Sequence, residues 1–201
     1  MAIRIEPADG DDRADIIEVL ATAFADDWPM LALFPDERRR PQAMRRMYAL
    51  DVTRRALTLG QSLVARDGSQ LAGAALAFPP RRPHLTLTAD LLAAPRYIRL
   101  FGRRVLQAQE MQRAMHAVHP KEPHIYLLYL GAREPGRGVG GALLTALTQD
   151  ADRQGLPVYL ESSTPASARL YARHGFEPRR EIVHRHGRFT PMWRPANASV
   201  R

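Results

Sequence analysis

The chain contains no cysteine. That excludes a disulfide framework, thiolate-bound metal and thiol catalysis, and it is consistent with a cytoplasmic setting. No apolar run approaches the length of a bilayer span, and the opening MAIRIEPADG lacks a basic segment followed by an apolar one. Neither a membrane segment nor a secretory leader is therefore expected. Lysine is nearly missing: Lys121 is the only one, and arginine supplies the other cations of a chain whose formal net charge is +8. The arginines do not cluster with interleaved aromatics, so the charge reads as a solvated surface and not as a nucleic-acid face. Internal repeats, linkers and low-complexity tracts are also absent. What is left is an ordinary globular composition, with 201 residues of which 45% are hydrophobic. That is enough for one domain spanning 1–201 with a core of its own.

The organising stretch runs from His124 to Phe176. The apolar run from His124 to Leu130 is short and rich in Tyr and Leu, as in a buried strand. The turn Pro135-Gly136-Arg137-Gly138-Val139-Gly140-Gly141 follows, and apolar residues then recur at Val139, Leu143, Ala146 and Leu147 with helical spacing. Strand, glycine turn and helix start in this order present free N–H groups and the positive end of a helix dipole to an anion. Glycine lets the anion approach the backbone, and Arg137 offers a full charge. A second strand is expected over Leu156 to Glu161. A second helix is expected over Pro165 to His174, with Gly175 in the C′ position.

These segments resemble the GNAT acetyltransferase superfamily. The pieces LGA, GRGVGGALL, the LESS stretch ending at Ser163, and SARLYARHGF (Ser167 to Phe176) look most like puromycin N-acetyltransferase and its relatives. The resemblance covers Tyr126 to Phe176. It implies an α/β (α+β) fold with a mixed, mostly antiparallel central sheet flanked by helices and splayed at the cofactor site. It also implies acetyl-CoA as co-substrate. The pantetheine arm would lie along Leu130, Gly131 and Ala132, and the pyrophosphate on Gly136, Arg137, Gly138, Val139, Gly140 and Gly141. Ser167 would lie beside the cofactor, and Tyr171 would face the thioester sulfur as proton donor to the departing thiolate. Two departures stand out. Pro135 occupies a place usually held by Gln or Arg, and the loop before it is shorter than usual. Ser167 stands where relatives often carry Asn.

The rest of the chain is compatible in layout. Expected elements are a strand at Ala2 to Glu6, then a helix at Asp11 to Phe24 with Ile16, Ile17, Val19, Leu20 and Phe24 inward. A broken loop at 25–35 would bring Trp28 to the acceptor while Phe34 packs on the core. A helix is expected at Arg38 to Leu57 with Met44, Met47, Tyr48, Leu50 and Val52 inward. A hairpin follows, from Gln61 to Arg66 and Gln70 to Phe78, turning at Asp67-Gly68. A helical insertion over 86–118 is interrupted near Pro95. Its inward residues are Leu91, Leu92, Ile98, Phe101, Val105, Leu106 and Met111, and its outward ones Arg99, Arg103, Arg104 and Arg113. A final hairpin runs from Glu177 to His184 and from Arg188 to Arg194, turning at Gly187.

Acetyl transfer to an amine needs a base, an oxyanion donor and an acid for the thiolate. Glu161 is the first candidate for the base, with a purely structural role as an acceptor for loop N–H groups equally open. Tyr126 and His124 come second, and Tyr126 is also placed as an acceptor contact. His116 and His119 receive no role. His184 and His186 alternate without a matching carboxylate pattern, so no metal is expected. The expected activity is acetyl transfer from acetyl-CoA to a small-molecule amine, with neither nucleic acid nor membrane as partner. A homodimer remains open. The alternatives are a non-catalytic acyl-CoA-binding protein of the same fold and a protein N-terminal or lysine acetyltransferase.

Overall fold

A computed structural model describes residues 3–52, 61–80 and 95–197. The elements in chain order are β1 (Arg4–Pro7), α1 (Arg13–Ala23), α2 (Trp28–Leu33), α3 (Arg40–Asp51), β2 (Leu63–Asp67) and β3 (Gln70–Phe78). They continue with α4 (Val105–Val118), β4 (Ile125–Ala132), α5 (Val139–Arg153), β5 (Val158–Ser162), α6 (Pro165–Arg173), β6 (Glu177–Pro178), β7 (Ile182–His184) and β8 (Gly187–Arg194). Helical residues 95–101 and the tight turn Gly102–Arg104 lead into α4. The strands form one sheet in the order β1-β2-β3-β4-β5-β8-β6, with β7 also on β8. Only β4 and β5 are parallel, so the sheet is mixed and mostly antiparallel, as expected.

Strand alternation sends residues to two apolar layers. On one side Leu76 and Ala74 of β3 meet Ile16 and Leu20 of α1, Met44 and Tyr48 of α3, and Met111 of α4. On the other, Ile125 and Leu127 of β4 and Leu160 of β5 meet Leu143 and Leu147 of α5 and Tyr171 of α6. Burying either layer removes large side chains from water, at about 25 cal/mol per Å² of apolar surface.

One irregularity shapes the site. Leu76 of β3 opposes Tyr129 of β4, but the next residue, Ala77, opposes Leu127. Leu128 is therefore an extra residue, a β-bulge. It places Tyr126 and Tyr129, three apart, on the same face. It also bends β4 where its ladder with β5 stops: the parallel pairing consists of Ile125 with Val158 and Tyr126 with Tyr159. Beyond those pairs β4 runs on to Ala132 and β5 to Ser162 without meeting. The expected splay is present, and a bulge accompanies it.

Several local expectations change. Residues 25–35 are not an open loop, because Trp28–Leu33 is a short helix with proline in its first positions. Proline has no N–H to lose there, so it starts a helix as readily as it breaks one. Phe34 is buried, as expected. The β2–β3 turn falls one residue later, at Gly68-Ser69, with Asp67 paired to Gln70 in the strands and Gly68 at φ +63°. In the insertion, Met111 is buried but Ile98 and Leu106 are 55% and 72% exposed. Arg104 turns inward and donates to the Ala32 carbonyl at 2.7 Å, holding the turn before α4 against α2. Leu50 is only half-buried. Gly187 is the first residue of β8, and Arg185-His186 makes the turn. The expected helical residues 53–57, and 86–94 with Leu91 and Leu92, lie outside the described residues.

Candidate active site

The glycine turn has the geometry of an anion cradle. Gly136 and Gly138 have φ +82° and +78°, conformations that disfavour any residue with a Cβ. Gly138 is the N-cap of α5, whose first backbone bond runs from Ala142 N to Gly138 O at 2.9 Å. The N–H groups of Val139, Gly140 and Gly141 precede that bond and have no partner within the helix. A Cβ at Gly136 or Gly138 would meet nothing within 4 Å, so the turn is open to a ligand. Arg137 is less available than its position implies, because its guanidinium is 3.1 Å from Glu134 and 3.6 Å from Asp67.

The end of β4 lies next to the turn. Leu130 and Ala132 pack on the α5–α6 layer. Gly131 faces the other way, under α1, where a Cβ would come 3.1 Å from both Ala23 Cβ and Leu20 Cδ2. Helix α1 thus rests directly on this strand. Past β5, Thr164 caps α6, its hydroxyl accepting from Ser167 N at 3.1 Å. The Ser167 hydroxyl is engaged with Ser162 at 2.7 Å and Thr164 at 2.8 Å. Its hydrogen bonds tie it into the cap of α6.

Tyr171 is buried on α6 against Phe176. No hydrogen bond to its hydroxyl is found among the described residues. Burial first, and the Asp27 carboxylate second, push the phenol well above its ordinary value. Asp27 itself is raised, chiefly by burial; the Ser163 hydroxyl that donates to it works in the opposite direction, and nearby Asp26 adds a smaller upward push. Asp27 is one of the two acids that precede Trp28. It is tied to a serine far along the chain, and no local pattern marks such a contact.

Trp28 packs against the last hairpin. Its ring lies 4.7 Å from that of Phe189 and 5.7 Å from that of His184, and Nε1 donates to the Arg188 carbonyl at 3.0 Å. It joins α2 to the β7–β8 hairpin. His184 and His186 lie beside each other with ring centroids 5.5 Å apart. Among the described residues no group of three His, Cys, Asp or Glu side chains could hold a metal ion.

On the α1–α3 side of the splay, Tyr126 donates to Glu161 Oε2 at 2.8 Å. The Glu161 side chain is 4% exposed, and its Oε1 lies 3.9 Å from His119 Nδ1. His119 Nε2 is 3.1 Å from His124 Nε2, and His124 Nδ1 is 2.6 Å from the Glu122 carbonyl oxygen. The rings of Tyr126 and Tyr159 meet His119 edge-on at 4.8 and 5.0 Å. Burial first, and the Glu161 carboxylate second, raise the Tyr159 hydroxyl far above the ordinary phenol value. The structure therefore brings together Tyr126, Glu161 and His124, and adds His119. Its one local signal is the Pro120…Pro123 turn that folds His119 back onto His124.

The chain is similar to known proteins. An acetyltransferase (GNAT) domain model matches residues 101–194. A histone acetyltransferase HPA2 and related acetyltransferase from Corynebacterium glutamicum superposes with a TM-score of 0.77 at 29% identity, covering 100% of both chains. Arylalkylamine N-acetyltransferase 2 from Aedes aegypti superposes at 0.65 with 15% identity, covering 98% of this chain and 100% of its own. An N-acetyltransferase from Staphylococcus aureus gives 0.63 at 18% identity, covering 94% and 99%. The fold is the GNAT fold. The domain match and the structural likeness together indicate an acyltransferase. GNAT enzymes use acetyl-CoA, and the open glycine turn beside a splayed strand fits such a molecule. No helix among the described residues is long and apolar enough to cross a membrane.

Proposed function

We propose that this chain, acting as one unit with residues 86–118 as a helical insertion, is an acetyl-CoA-dependent N-acetyltransferase. It would transfer the acetyl group to a primary amine of a small molecule by direct attack on the thioester. The observation that carries the reading is the separation of β4 from β5 after Tyr126 and Tyr159, next to the left-handed glycine turn that opens α5. The kinship with puromycin N-acetyltransferase relatives rests on the motifs from Tyr126 to Phe176 and forms part of the same proposal.

In this reading the N–H groups of Arg137 to Gly141 hold the pyrophosphate, with Gly136 and Gly138 providing the bend. The backbone of Leu130, Gly131 and Ala132 pairs with the pantetheine amides as an added strand. Acetyl-CoA supplies the activated acyl group. Glu161, held by Tyr126, accepts a proton from the incoming ammonium, which frees the nitrogen lone pair. Nitrogen attacks the thioester carbon, and the C–S bond breaks. Tyr171 gives its proton to the thiolate and regains one from the acylated nitrogen. Its raised value keeps the phenol protonated at neutral pH but makes it a reluctant donor, so the two transfers must be coupled.

The test is a panel of primary amines with acetyl-CoA, following free thiol release beside a melting curve. Thiol release with a small amine supports the reading. Stabilisation by acetyl-CoA with no release for any amine or peptide makes the chain an acyl-CoA-binding protein. Release with peptides alone makes it a protein acetyltransferase.

A further inference from the structure

We infer that the cavity between α2, α3 and residues 96–104 binds a small organic anion carrying two or more phosphate groups. This site does not depend on the acetyl-transfer reading. The cavity has a volume of about 1050 Å³, ample for a drug-sized molecule. Its floor is apolar: Leu33 and Phe34 close one end, and the ring of Phe101 stacks on that of Phe34 at 5.5 Å. Ala43 and Ala49 of α3 leave room that longer side chains would fill. The inner face of the same helix carries Met44, Met47 and Tyr48, buried in the layer over the sheet. The cavity therefore lies behind α3, and none of the residues assigned to acetyl transfer line it.

Among the described residues, its walls hold eight arginines and one carboxylate, Asp36. That is an excess of seven positive charges in a chain whose entire net charge is +8. Three of the eight are tied down. Arg40 donates to the Phe34 carbonyl at 2.8 Å, Arg104 to that of Ala32 at 2.7 Å, and Arg39 lies 3.5 Å from Asp36. The other five, Arg13, Arg46, Arg96, Arg99 and Arg103, are exposed and have no hydrogen-bond or ion-pair partner among the described residues. Arg96, Arg99 and Arg103 recur at intervals of three and four, along one helical face. Like charges gathered round one cavity repel, and a bound anion relieves that repulsion. A cleft of one sign also concentrates counter-ions from solution. Guanidinium forks match phosphate oxygens with paired bonds. Each phosphate monoester brings about two negative charges and three acceptor oxygens. Two or three such groups answer five free guanidiniums within this volume, whereas carboxylates would have to number five. The organic part of the ligand rests on Leu33, Leu100 and Phe101.

The deciding experiment is calorimetry at low salt with inorganic tripolyphosphate as probe. The expected result is a site present in the wild type and retained in Gly138→Asp, where a carboxylate enters the glycine turn. Arg46→Gln combined with Arg99→Gln lowers the affinity of that site by about 10²-fold. Both residues are exposed, so circular dichroism and the melting temperature of the free protein stay as in the wild type. Arg180→Gln combined with Arg185→Gln removes the same charge from exposed positions outside the cavity and leaves the affinity unchanged. Tripolyphosphate raises the melting temperature of the wild type and not that of the Arg46, Arg99 variant. No binding to the wild type, or an equal loss in both double variants, overturns the site. Binding to vesicles bearing phosphoinositide headgroups, without binding to free tripolyphosphate, overturns it as well and makes this face a lipid contact.

Discussion

The indole of Trp28 occupies the space that a side chain on Gly187 would need. A Cβ there would lie under 3.0 Å from three of the ring carbons. Gly187 has no unusual backbone angle, so the glycine serves the contact and not the turn.

Gly187→Ala should therefore act as overpacking. It should displace Trp28 from β8 and from His184, at a cost of about 1–3 kcal/mol. Tryptophan fluorescence should shift together with a lowered melting temperature. Unchanged emission and stability would show that α2 does not need the hairpin to hold it.

Asp152 and Arg194 join α5 to the last strand through two bonds of 2.8 and 2.7 Å, with side chains only 11% and 10% exposed. Asp152→Asn leaves the guanidinium enclosed without its counter-charge and should cost about 3 kcal/mol. The pair also sets a pH dependence. The Arg194 hydrogen bond, opposed by burial and helped by the Asn197 N–H, holds Asp152 below its ordinary 3.8. A depressed carboxylate stabilises the fold above its ordinary value, and that stability is lost as pH falls through the folded one. Acid melting curves of the wild type should fall more steeply below pH 3.8 than those of Asp152→Asn.

Gly138→Asp separates fold from binding. A Cβ there meets nothing within 4 Å, and aspartate is among the residues that tolerate φ +78°. The fold should survive with a loss of about 1 kcal/mol, while the added carboxylate occupies the anion cradle. Calorimetry should show acetyl-CoA binding abolished. Retained affinity would place the pyrophosphate elsewhere.

Tyr171→Phe keeps the ring against Phe176 and removes only the hydroxyl. Turnover should fall by about 10²-fold, the low end for a positioned acid, with acetyl-CoA affinity nearly unchanged. Normal turnover with a small loss of stability would assign Tyr171 to packing alone.

The sequence revealed the segment from β4 to α6 because its signals are local. A short apolar run, glycines at left-handed positions, helical spacing and Gly175 after α6 at φ +83° each act within a few residues. Tyr126 and Glu161 were legible as strand positions in that segment. The contacts of Asp27, His119 and Trp28 were not, because each is made with a partner brought close only by the fold: Ser163, Glu161 and Gly187. At α2 the difference has another origin, since Pro29 suggests a helix breaker yet forms part of a helix start. In the insertion, the apolar stripe predicts an inward face, yet Leu106 and Ile98 lie on the outer side.

The extra residue at Leu128 also marks a place where this gene can change. Loss of a single codon there would restore regular pairing with β3 and leave every side chain of β4 on its present face, because the bulge already sets two residues opposite one. Tyr126 and Tyr129 would stand two apart and still share a face. What would go is the local bend beside the point where the ladder with β5 stops. Descendants of this protein are expected to lose residue 128 only where a straighter strand serves them.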